Sequence, residues 1–144
     1  MPDNTANLVK EVLELTPLIQ RHVLRPIERS TGSRLAPNQF SILTILSEVG
    51  AETMVGLSRQ IAVCRQQMTQ LIDELAKKNL VRRTMSETDR RSVVVTITDL
   101  GLDCVKCAHQ DALDALYPIF DGYTDAQKAD LIQTAQTMRE IMHG

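Results

Sequence analysis

The sequence predicts a mainly α-helical fold carrying one small β-hairpin, and three observations lead there. Apolar residues recur at three- and four-residue steps along most of the chain, the mark of amphipathic helices. β-Branched residues concentrate between Leu80 and Thr98, in two runs separated by a polar segment, the mark of paired strands. The chain has 144 residues, 43% of them hydrophobic and 24% charged, which is enough apolar material for a core and fits one globular unit. No low-complexity tract suggests disorder. Met1 to Asn7 lack a basic-then-apolar leader, and no run of about eighteen apolar residues occurs, so neither export nor membrane spanning is expected. The cytoplasm is the expected compartment.

Leu8, Val12, Leu15 and Ile19, continued by His22 or Val23 and by Pro26 or Ile27, describe a long first helix. Pro17 and Pro26 should bend or interrupt it, and Thr31-Gly32-Ser33 should end it. Pro37 suits the first turn of a second helix with Phe40, Leu43, Leu46 and Val49 on one stripe and Gly50 as its stop. A short third helix from Thr53 would use Val55, Leu57 and Ile61, before Ala62-Val63-Cys64 breaks the period. The fourth, from about Arg65 to Lys78, carries Met68, Leu71, Ile72 and Leu75 at core spacing. Strands are expected over Leu80 to Thr84 and Ser92 to Thr98, joined by Met85 to Arg91. Thr98 should cap a fifth helix with the stripe Leu102, Val105, His109, Ala112, Leu116 and Ile119, ending near Gly122. Thr124 and Gln127 have capping-box spacing ahead of a sixth, with Leu131, Ala135, Met138 and Met142.

That order in the middle of the chain is a winged helix-turn-helix: two short helices joined by a tight turn, then a hairpin beside the second. Its outer helices exceed what so small a core needs, and such helices bury their stripes against a second subunit. The expected organisation is an N-terminal dimerisation helix over 1–34, the winged helix-turn-helix over 35–98 and C-terminal dimerisation helices over 99–144, intertwined as one unit in a homodimer.

Net charge is −2, but residues 57 to 91 hold 8 Lys or Arg against 4 Asp or Glu, whereas residues 99 to 144 hold 3 against 8. A concentrated basic segment suits a polyanion such as double-stranded DNA, because local potential rather than overall charge attracts phosphate. On an ideal helix turning ~100° per residue, Gln66, Gln70, Asp73 and Lys77 lie opposite the core stripe of the fourth helix. Glutamine can bond the N6 and N7 of adenine in bidentate fashion, so Gln66, Gln67 and Gln70 are candidate base readers. Taken alone they read more simply as good helix formers on a wet face, and it is the surrounding basic pattern that favours base reading. Arg59, Arg65, Lys78, Arg82 and Arg83 fall where a sugar-phosphate backbone would pass. In the hairpin loop, Arg90 and Arg91 flank Asp89 on one side; an arginine there gains from a narrow minor groove, and Asp89 can order the loop by pairing with one of them.

The stretch Leu35-Ala36-Pro37-Asn38-Gln39-Phe40-Ser41-Ile42-Leu43, the run from Leu57-Ser58-Arg59 to Glu74-Leu75, then Leu80-Val81-Arg82-Arg83, Asp89-Arg90-Arg91 and Thr96-Ile97-Thr98-Asp99-Leu100-Gly101 together resemble the MarR family of prokaryotic transcriptional regulators. The resemblance covers almost the whole chain and rests on the ordered combination of these segments. It implies a dimeric winged helix-turn-helix repressor, less often an activator, on a pseudo-palindromic operator, controlled by a small molecule or an oxidant. Gln66, Gln67, Thr69 and Gln70 match the base-reading part of the recognition helix, and Arg65 its opening arginine. Arg91 matches the wing residue of the minor groove, Asp89 the carboxylate that orders the wing, and Arg90 a phosphate contact or Asp89 partner. Gln66 and Gln67 stand where small hydroxyl residues are common in the family, and Cys64 where Ser, Thr or Asp often caps, so an operator sequence does not transfer.

Cys64 would open the recognition helix beside Arg65, a setting that favours a reactive thiolate and makes it a candidate redox sensor; the alternative is a small residue tolerated in a turn. Cys104 and Cys107 sit one helical turn apart, but without a second ligand pair they read as small packed residues rather than a metal site. His22, Arg25 and His109 would suit a small aromatic or anionic effector, or simply core and interface packing. No cofactor or metal is expected. An enzyme is disfavoured, since no glycine-rich phosphate loop and no nucleophile-base arrangement is present. A winged-helix module that binds another protein is the alternative to a DNA-binding one.

Overall fold

The computed structural model of the chain describes residues 3–31, 35–88 and 91–143. It begins with α1 (Asn4–Ile19), a π-helical turn (Gln20–Leu24) and α2 (Arg25–Thr31). There follow α3 (Pro37–Val49), β1 (Ala51–Thr53), α4 (Met54–Ile61), α5 (Arg65–Lys77), β2 (Val81–Met85) and β3 (Val93–Ile97). The long α6 (Asp99–Asp121) and α7 (Asp125–His143) complete the order. The chain forms two compact units, Thr31–Asp111 and Met1–Ser30 with Ala112–Gly144.

The Thr31–Asp111 unit has a single core. Ile42, Leu43 and Leu46 from α3, Leu57 from α4, Met68, Ile72 and Leu75 from α5 and Val95 from β3 are all completely buried, and Val105 and Ala108 of α6 join them. The expected stripes hold where period and burial coincide and fail at their margins. Val49 and Val55 are exposed, Ile42 takes the core place, and in α6 Ala108 rather than His109 faces inward. One apolar residue per turn suffices for a short helix packed on one side, so the end positions of a stripe swing outward.

The sheet has three strands where a two-stranded hairpin was expected. Its order is β1-β3-β2, antiparallel throughout, with Glu52 opposite Val95 and Arg83 opposite the same residue on the other side. Gly50 makes the third strand possible: its φ of +82°, a conformation glycine takes without a Cβ penalty, turns the chain out of α3 straight into β1. The Gly50 carbonyl then accepts the Ile97 N–H at 3.2 Å. Three residues are too few to show a period of two.

Local caps define the remaining junctions. Thr53 closes β1 and caps α4, its hydroxyl accepting the Gly56 N–H at 3.0 Å. Ala62 takes the left-handed conformation that ends α4 and turns the chain toward α5. Thr98 caps α6 as expected, accepting the Gly101 N–H at 3.0 Å while its hydroxyl donates to the Asn79 carbonyl at 2.7 Å. A Cβ at Gly101 would overlap the Leu80 carbonyl oxygen, so a glycine lets the first turn of α6 sit against the entry to β2.

In the other unit, Pro17 lies inside α1 without breaking it. Ahead of Pro26 the helix widens, and the Arg25 N–H reaches back to the Gln20 carbonyl. A proline ring presses on the carbonyl four residues earlier, and a π-turn makes room for it. Thr124 and Gln127 form the expected reciprocal cap of α7, at 3.0 and 3.2 Å. No residue of α1 or α7 is buried, and Leu8, Leu13, Tyr117, Ile141 and Met142 are each more than 60% exposed.

Candidate nucleic-acid interface

The turn at Ala62 sets α5 across α4, and α5 presses Met68, Ile72 and Leu75 into the core. This orientation turns Arg65, Gln66, Gln67, Thr69, Gln70 and Lys77 to solvent, and all six expected contact residues of the helix are exposed. The Thr69 hydroxyl donates to the Arg65 carbonyl at 2.9 Å, which leaves its methyl and oxygen near the outer surface. Glu74 is tied down behind: its Oε2 accepts Nε2 of Gln39 at 2.9 Å, and Oε1 of Gln39 accepts the Ala36 N–H at 3.1 Å. Gln39 is 3% exposed, the single buried polar residue among those described. Sequence reasoning missed it, because a glutamine in the first turn of a helix looks like any other surface residue.

The hairpin lies beside α5. A groove of about 530 Å³ runs between them, with Arg59, Arg65, Arg83 and Arg91 around it and Met54 and Val63 among its apolar lining. Arg91 therefore shares a concave surface with Arg65 at the opening of α5. Asp89 and Arg90 lie outside the described residues. Arg83, expected at the sugar-phosphate backbone, is engaged within the chain: its guanidinium pairs with the Asp73 carboxylate, and Nη2 donates to the Thr69 carbonyl at 3.4 Å.

Cys64 occupies the cap position of α5, exposed, without a side-chain capping hydrogen bond. Cys104 packs against the core and Cys107 is exposed. His22 and Arg25 belong to one compact unit and His109 to the other; His109 is exposed, not part of the α6 core stripe. Among the described residues no cluster of three or more His, Cys, Asp or Glu is placed to hold a metal, and no helix is long and apolar enough to cross a membrane.

A helix seated on a core by one face, open on the other and flanked by an arginine-bearing hairpin defines a winged helix-turn-helix of the DNA-binding kind. Residues 35–93, which span α3 to the start of β3, match the family model described as the MarR family. The HTH-type transcriptional regulator YpoP of Bacillus subtilis is 29% identical over 78% of this chain and 80% of its own length. In fold, the chain is similar to a MarR family protein from Bacillus stearothermophilus, with a TM-score of 0.76 at 19% identity over 100% of this chain and 99% of that one. It is also similar in fold to a mutant MarR from E. coli complexed with operator DNA, with a TM-score of 0.69 at 23% identity over 91% of this chain and 97% of that one. Over residues 35–93 the chain is thus similar to the MarR family, and over most of its length to HTH-type transcriptional regulators.

Proposed function

We propose that this regulator is a cytoplasmic repressor that binds a pseudo-palindromic operator as a homodimer and leaves it when a small-molecule or oxidant signal arrives. The observation that carries the reading is α5: one face is completely buried at Met68, Ile72 and Leu75, while Gln66, Gln67, Thr69 and Gln70 are exposed between Arg65 and Lys77. Direct readout requires such a face, rigid in its seat and rich in bidentate donors and acceptors. Arg91 enters the flanking minor groove, with Asp89 and Arg90 ordering the loop and meeting phosphate. The fold likeness to a MarR seen with operator DNA supports the same docking.

Homodimer formation is supported by the helices outside the DNA-binding unit, whose large apolar side chains are uncovered in one copy of the chain. A soluble monomer rarely leaves so many exposed on consecutive elements. Two-fold pairing would set two α5 helices ~34–36 Å apart, one turn of DNA. For the signal, the arginine-lined groove beside α5 has the size and mixed character to take a small aromatic anion, which would compete there with phosphate. Cys64 gives an oxidant access to the cap of the same helix.

Selection of bound sites from random duplexes, at stated salt, tests the reading. An inverted repeat with half-sites one turn apart is the expected result; enrichment of nothing sinks it. Titrating salicylate-like acids, and separately mild peroxide with mass spectrometry of Cys64, into the operator complex then tests release. Unchanged binding with Cys64 fully oxidised removes the oxidant route.

A further inference from the structure

The helix α5 carries two adjacent carboxylates, and each is gripped by a different element. Glu74 is held from α3 by the buried Gln39. Asp73 is held from β2 by Arg83, whose guanidinium also donates to the Thr69 carbonyl one turn earlier. Neighbouring helical residues point ~100° apart, so these two clamps fall at different azimuths of the same helix. The core stripe fixes which face of α5 turns inward, but apolar contact is non-directional and leaves small rotations about the helix axis less sharply fixed than a base contact needs. Directional bonds at two azimuths remove that freedom. Whether Gln66 and Gln70 meet a base edge depends on that rotation, because bidentate contacts tolerate little misalignment.

We propose that Arg83 is a positioning residue: through Asp73 and the Thr69 carbonyl it sets the rotation of α5 and thereby which base edges the glutamines reach. This rests on α5 being the base-reading helix. Charge sharpens the argument. A carboxylate on a DNA-facing helix repels phosphate, so an Asp73 with no positioning task would weaken binding, and its removal would tighten it.

The test compares wild type, Asp73→Asn, Arg83→Gln and the double variant for affinity to the selected operator and to a random duplex across a salt series. The pair is partly exposed, with side chains 36% and 49% accessible, so thermal unfolding should stay near wild type and serves as the folding control. Each single variant is expected to lower the operator-over-random ratio by about tenfold with the salt slope unchanged. The double variant should be no worse than either, as for two members of one device. The proposal is overturned by an Arg83→Gln that binds both duplexes equally more weakly with a slope shallower by about one, the signature of a phosphate contact. Tighter binding of both duplexes by Asp73→Asn, or additive losses in the double variant, overturns it as well. Wild type that prefers no duplex instead refutes the operator reading on which the proposal stands, a result visible before any variant is measured.

Discussion

Gln70 stands on the exposed face of α5 one turn beyond Gln66, where a carboxamide offers a donor and an acceptor side by side. Gln70→Ala is expected to cost about 1–3 kcal/mol at one base pair of the operator and little elsewhere, measured by competition with singly substituted sites. A loss spread evenly over all positions would show that Gln70 reads no base. An arginine in a minor groove acts through shape rather than hydrogen-bond pattern, so, with Arg91 in the proposed wing role, Arg91→Ala should weaken binding most where the flanking minor groove is A·T-rich. Equal affinities of the two proteins across differing flanks would remove the wing assignment. Gln66 and Gln70 were legible in the sequence as exposed residues because helical period alone places them opposite Met68, Ile72 and Leu75. The engagement of Arg83 was not: a surface arginine looks free until the structure brings Asp73 to it.

Helices and strands become legible in proportion to their length and the regularity of their burial. The α5 stripe, the Thr98 cap and the Thr124–Gln127 cap could be read from spacing, since each involves residues within a turn or two of one another. β1 could not, because a strand of three residues exists only through its pairing with β3. The start of α6 shows how such junctions constrain single atoms. Gly101→Ala places a methyl group on the Leu80 carbonyl and should cost about 1–3 kcal/mol, visible as a lower denaturation midpoint at unchanged slope. Wild-type stability in that variant would mean that α6 shifts without cost.

Two units of different character make up the chain: Thr31–Asp111, which contains the basic stretch from 57 to 91 and closes its own core, and the outer helices, of which α1 and α7 bury nothing. If those helices pair with a second copy, each substitution enters a two-fold interface twice. Burying an isoleucine contributes about 1.5–3 kcal/mol, so Ile141→Glu is expected to weaken the dimer by about two orders of magnitude or more. Sedimentation over a concentration series reads this directly, and a wild type that stays monomeric at every concentration contradicts dimerisation outright.

Periodicity, caps and local charge are relations between near neighbours, so a single strand of text carries them: the helix order, the core face of α5 and the basic segment followed from the amino acids alone. The likeness to the MarR family, too, was legible, because most of its segments follow one another in order within residues 35–93, where the family model matches. Folding alone decided the third strand, the inward turn of Ala108 in place of His109 and the clamps on Asp73 and Glu74. Gln39 and Glu74 lie 35 residues apart and Thr69 and Arg83 lie 14 apart. Contacts at such separations depend on how elements pack, and packing leaves no periodic trace in the residues that make them.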